Sequence, residues 1–202
     1  MKHYRDRNAL IRTILPDSIV AEVGTQSGDF AAEILKQNPY RLYLIDIWKQ
    51  QGGDYEADPA NVSDAEHEAK YQAVLRRFAR EIEMGQVVVL RMDSLAATAE
   101  MPDGILDVVY LDANHTKAAV AADLRALAPK MNEVGRIMGH DYTESAQAKK
   151  MKFGVVEAVK EFCLEGEWRM IGITDDEWPS YELERVSGNA KRETEKVLAG
   201  VA

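Results

Sequence analysis

Short runs of apolar, often β-branched residues alternate along this chain with longer stretches of helical spacing, and that alternation constrains the fold more than any other feature. Ser18 to Val23, Arg41 to Ile45, Gln86 to Leu90, Leu106 to Leu111 and Gly135 to Gly139 read as strands. Arg169 to Thr174 and Tyr181 to Val186 follow as a closing pair with only a polar connection around Pro179. Between the earlier strands lie helical patterns. Asp29 to Lys36 is one. Ser63-Asp64-Ala65-Glu66 matches a capping box and is followed by Tyr71, Val74, Leu75, Phe78 and Ile82. Val120, Leu124, Leu127 and Met131 share a helical face, as do Val155, Val156, Val159, Phe162 and Cys163. Strands alternating with helices predict a doubly wound, mostly parallel sheet covered on both faces. The helix-free last connection predicts seven strands with the last one reversed.

A single domain is expected over residues 1–187, and residues 188–202 read as a polar helix or tail. The sequence of 202 residues carries 34 acidic and 25 basic side chains, a formal net charge of −9. Such a surface repels phosphates and anionic lipid, which argues against nucleic-acid and membrane partners. The one cysteine, Cys163, allows no intrachain disulfide, and no apolar run reaches the roughly 18 residues of a membrane span. No signal peptide is legible in the charged first residues. A cytoplasmic protein is expected, and a homo-oligomer is compatible with all of this.

In an open parallel sheet, ligands bind beyond the carboxyl ends of the strands. The first strand ends in Glu22-Val23-Gly24-Thr25-Gln26-Ser27-Gly28. Gly24 suits a tight turn close to a ligand, and Gly28 opens the next helix. Gln26 departs from the dinucleotide fingerprint G-x-G-x-x-G, so no pyrophosphate is required. Glu22 places a carboxylate where an ammonium group would fit. Asp46 ends the second strand, 22 residues beyond Gly24, at the spacing of a ribose-binding acid. Asp93-Ser94 follows the third strand, where Asp93 suits an exocyclic amine.

Together these strand ends resemble the class I S-adenosylmethionine-dependent methyltransferases, through VAEVGTQSGDFA, LYLIDIW, LRMDS, LDVVYLDANHTKAAVAADL and GRIMGHDY. More narrowly, the chain is similar to the small-molecule O-methyltransferase branch. The resemblance implies a Rossmann-like seven-stranded sheet with a reversed last strand. It also implies S-adenosylmethionine as cofactor, with Gly24 and Gly28 near its methionine part, Asp46 at the ribose and Asp93 with Ser94 at the adenine. The implied activity is methyl transfer to a hydroxyl of a small-molecule acceptor.

The fourth strand ends in Asp112-Ala113-Asn114-His115 and the fifth in Gly139-His140-Asp141. In the sheet order that the resemblance implies, these two strands are neighbours, which would bring Asp112, His140 and Asp141 together, a donor set suited to a divalent cation such as Mg. Catechol-type enzymes carry an Asp-Asn pair where this chain has His140-Asp141, and a catalytic Lys where it has His115. His115, taken as a neutral imidazole, is the expected base, with Asp112 beside it. Trp48, Tyr55 and Tyr142 are candidates to flank the acceptor. Two long connections, Lys49 to Val62 and Tyr142 to Lys152, lie at the same edge and read as lids or substrate walls. A nicotinamide-dependent oxidoreductase and a non-catalytic adenosyl-ligand-binding subunit are the alternatives. Gln26 and the lack of a Tyr-x-x-x-Lys pair argue against the first, and a binding subunit has no use for Asp112 and His115 together.

Overall fold

The computed structural model describes residues 1–186, so the expected tail at 188–202 lies outside the described residues. Eight strands form one sheet. They are β1 (Lys2–Tyr4), β2 (Ile19–Val23), β3 (Arg41–Asp46), β4 (Val87–Arg91), β5 (Leu106–Leu111), β6 (Met131–Gly139), β7 (Trp168–Thr174) and β8 (Tyr181–Arg185). Their order across the sheet is β1-β7-β8-β6-β5-β2-β3-β4. Strand β8 runs antiparallel between β6 and β7, and all other pairs are parallel. The reversed last strand is therefore as expected.

The eighth strand is a correction to the expected seven. Strand β1 has three residues and pairs with β7 through Lys2 opposite Gly172 and Tyr4 opposite Thr174. It lies at an edge and is too short to show alternation, so no pattern announces it. The Tyr4 hydroxyl anchors it by donating to Glu182 at 2.8 Å.

Alternation within the strands feeds two cores. Ala21, Val23, Val109, Leu111 and Ile137 face a core closed by helices α6 (Lys117–Leu127) and α8 (Val155–Leu164). Val20, Leu42, Leu44, Val108, Tyr110 and Met138 face the other. That core is closed by α1 (Arg7–Ile11), α2 (Asp29–Leu35) and α3 (Asp64–Arg77). The expected capping box at Ser63 and Glu66 is present. Met131 does not extend the α6 stripe. The helix stops at Leu127, Pro129 sits in a 3-10 turn, and Met131 opens β6, because proline disrupts the bonding of a helix interior. Among the described residues, no helix is long and apolar enough to cross a membrane.

Candidate functional site

Strand order reverses between β2 and β5, and the crevice there is pinned by backbone contacts. The Gly24 amide donates to the Ile45 carbonyl and the Asp112 amide to the Val23 carbonyl, each at 2.8 Å. Gly24 has φ +94, and a Cβ there would lie 1.9 Å from the Asp112 carbonyl oxygen. Only glycine lets the turn after β2 pass so close to the end of β5. A cavity of about 360 Å³ opens at this edge.

Glu22, Gly24, Asp46, Asp93 and Ser94 all line that cavity. Gly28 does not; a Cβ there would come within 2.8 Å of the Phe78 ring, so its small size serves helix packing. Asp46 is held firmly, accepting the Gln26 amide at 2.8 Å and the Trp48 amide at 2.7 Å. Burial nevertheless raises its pKa against the pull of those bonds. Glu22 is 2% exposed, and its Oε2 has no hydrogen-bond partner. Burial, reinforced by the carboxylates of Asp112 and Asp46, holds its pKa well above the usual range. Asp93 caps α5 (Ser94–Glu100) by accepting the Leu95 amide at 2.9 Å.

Asp112 and His115 also line the cavity, and behind them they join an ion cluster. His115 is buried, with Nδ1 2.8 Å from Asp58 Oδ2. Its Nε2 is 3.2 Å from Asp112 Oδ1 and 3.0 Å from Asp141 Oδ2. Burial alone would lower its pKa, yet bonds to Asp112, Asp141 and Asp58 outweigh that and raise it well above the histidine range. Those three bonds favour the protonated ring, whereas the sequence points to a neutral imidazole. His140 Nδ1 lies 3.0 Å from Asp141 Oδ1 and 3.8 Å from Asp112 Oδ2. Ligand atoms of Asp112, His115 and Asp141 all come within 4.8 Å of one another. The expected Asp112, His140 and Asp141 do come together, and His115 joins the two carboxylates in a tighter trio. Asp141 adopts φ +57, a conformation that Asp tolerates better than most residues.

The expected aromatic neighbours separate. Tyr55 lines the cavity. Trp48 is core, its Nε1 donating to the Gln26 carbonyl at 2.7 Å, and Tyr142 packs on Tyr181. Four polar residues escape sequence reasoning. Asp58 sits in the loop 49–62, which has no periodicity. Arg7 looks like part of a charged leader. Its guanidinium lies over the Phe30 ring and 3.6 Å from Asp112, and it is the one arginine or lysine among the described residues lining the cavity. Asp123 adjoins the apolar α6 stripe, accepts the Ser94 hydroxyl at 2.6 Å, and has its pKa raised by burial to about 6. His67 lies on α3, and only its place just after the capping box marks it.

The profile of the family described as Methyltransferase domain matches residues 21–142, more than half of the chain. The chain belongs to that family. Similar solved structures agree on the fold. A Streptococcus mutans protein described as a candidate methyltransferase, in complex with SAH (S-adenosylhomocysteine), has 10% identity and a TM-score of 0.62. That match covers 89% of this chain and 96% of the other. The pyocyanin biosynthetic protein PhzM has 17% identity and a TM-score of 0.62, over 89% of this chain and 54% of its own. An rRNA methylase from Streptococcus thermophilus has 11% identity and a TM-score of 0.60, over 90% and 95%. A comparison with curated sequences gave no match. The chain is thus a class I S-adenosylmethionine-dependent methyltransferase, and the oxidoreductase alternative falls away.

Proposed function

We propose that this methyltransferase moves the S-adenosylmethionine methyl group to a hydroxyl of a small molecule, with His115 as the base. The observation that carries the reading is the Asp58–His115 pair at the cavity end where β5 and β6 finish. A carboxylate on Nδ1 fixes the ring with Nε2 turned to Asp112 and Asp141, where an acceptor hydroxyl would have to enter. The net charge of −9 favours an uncharged small acceptor over RNA.

The cofactor fits the remaining wall by chemistry. Glu22 offers an unpaired buried carboxyl to the ammonium, and Arg7 offers the cavity's guanidinium to the carboxylate. Asp46 keeps lone pairs for the ribose hydroxyls, while Asp93 and Asp123 flank Ser94 where an adenine amine would be met. The sulfonium carries the reactivity; the chain's task is alignment in line with the acceptor and removal of its proton.

The bonds from Asp112 and Asp141 favour a protonated ring, so for His115 to act as base an acceptor or cation would have to displace them, with the ring proton passing to one of those carboxylates or to water, before Nε2 takes the acceptor's proton. Two carboxylates with acceptor oxygens within 4.8 Å of each other suit a divalent cation, while Asp58 on Nδ1 leaves the Nε2 of His115 for the proton. In this reading Asp112 and Asp141 would hold the cation, with His115 beside them. A cation bound there would lower the pKa of an acceptor hydroxyl.

The test is transfer of labelled methyl to a panel of catechols, phenols, sugars and RNA, with and without chelator. Transfer to a hydroxyl acceptor supports the reading, and transfer to RNA alone overturns it. Full activity in chelator removes the cation and leaves the rest.

A further inference from the structure

The imidazole of His67 is 6% exposed, lies in the cavity wall that also holds Asp46, and has no hydrogen-bond partner on either Nδ1 or Nε2. Buried polar atoms are normally paired, so a ring with both nitrogens unmet, facing a cavity, has the character of a site awaiting a ligand. Its backbone is not free to wander. The His67 amide donates to the Ser63 carbonyl at 2.9 Å, on the first turn fixed by the Ser63–Glu66 capping box.

The neighbouring acid says what kind of group would satisfy the ring. Each Asp46 oxygen already accepts one backbone amide, and its remaining lone pairs can only accept. Burial lowers the His67 pKa, so the ring is neutral and offers one donor and one acceptor. An anion such as phosphate would be repelled by Asp46. An uncharged hydroxyl, which both gives and takes a hydrogen bond, complements the two residues together.

We propose that His67 is a specificity-determining residue that recognises the vicinal diol of the cofactor ribose, giving a hydrogen bond to a hydroxyl whose own proton goes to Asp46. This deepens the S-adenosylmethionine reading and rests on it. No partner within the described residues competes for the ring, so the bond forms only when ligand is present.

Calorimetric titration of S-adenosylhomocysteine and its 2′-deoxy and 3′-deoxy analogues against wild type, His67→Phe and His67→Gln tests this. Wild type should bind at least one deoxy analogue about tenfold more weakly than the parent, because a buried polar pair is left unmet. His67→Phe, which fills the space without a donor, should bind the parent about tenfold more weakly and discriminate against that analogue by less than about threefold. His67→Gln keeps an amide donor and should recover part of the discrimination; a merely structural role predicts no such rescue. Undiminished discrimination in a folded His67→Phe overturns the inference while the cofactor reading stands. If His67→Phe does not fold, undiminished discrimination in His67→Gln together with unchanged parent affinity overturns it. Failure of wild type to bind the parent at all overturns both.

Discussion

The two ends of the cavity solve opposite problems. Beneath β2, β3 and α3, polar groups are buried without enough partners: Glu22 Oε2 and both nitrogens of His67 are unmet. Beyond β5 and β6 the groups are already matched, with the His115 ring held by Asp58, Asp112 and Asp141. Unmet buried groups cost stability in the free protein and return it when a ligand supplies the partner. A matched ion cluster is stable as it stands and must be opened before it can act. The contrast suggests a first end built to capture cofactor and a second built to stay shut until the acceptor arrives.

The sharpest way to break this contrast is His115→Ala. Turnover should fall about 10²–10⁴-fold on whichever acceptor works. The variant should also lose about 3–5 kcal/mol of stability in thermal or urea unfolding, because three carboxylates are left facing one another. An unaltered unfolding midpoint would show that the cluster is not the matched unit described.

Glu22→Gln should act in the reverse sense. A raised folded-state pKa contributes stability below the unfolded pKa and loses it as pH rises through the folded value. Removing the charge should therefore raise the melting temperature at pH 8 and leave it nearly unchanged at pH 4. Affinity for S-adenosylhomocysteine should drop about tenfold to a hundredfold.

Asp123→Asn extends the same logic with a smaller effect. The Asp123 pKa of about 6 means stability is lost between pH 4 and 6, by at most about 3 kcal/mol. The variant's stability should be flatter across that window in urea titrations at stepped pH.

The smallest effect concerns the loop 49–62, which carries Asp58. Its Asp54 bonds Lys152 of the second long loop at 2.7 Å on an exposed surface. Lys152→Ala should leave the melting temperature unchanged, since exposed pairs contribute little. It should speed limited proteolysis within 49–62, and cofactor should slow that cleavage. Cleavage that ignores cofactor would count against this loop as a lid.

What was legible in the sequence follows physical period. Strands β2 to β6 are short continuous apolar runs and the helices between them repeat at 3.6 residues, so their order could be read directly, and the helix-free last connection announced the reversed strand. The ends of β2, β3 and β5 could be read because ligand-binding edges of such sheets recur in place. Strand β1 was not legible because three residues carry no period. Asp58 and Arg7 were missed because they reach the cavity from irregular or charged segments, where tertiary contact alone selects them. The upward pull on the His115 pKa was invisible for a different reason. It depends on three carboxylates, and Asp58 is 57 residues away along the chain. His140 does reach Asp141 and Asp112 as the strand ends suggest, while His115 comes closer to both carboxylates together, which strand position alone could not show.

The claim that capture and chemistry are divided between the two ends is tested most directly by one calorimetric series. S-adenosylhomocysteine is titrated into wild type, Glu22→Gln and a folded His115→Ala. The account predicts one site per chain in wild type, a loss of about tenfold or more in Glu22→Gln, and affinity within about twofold of wild type in His115→Ala. Equal losses in both variants, or no binding by wild type, would contradict it.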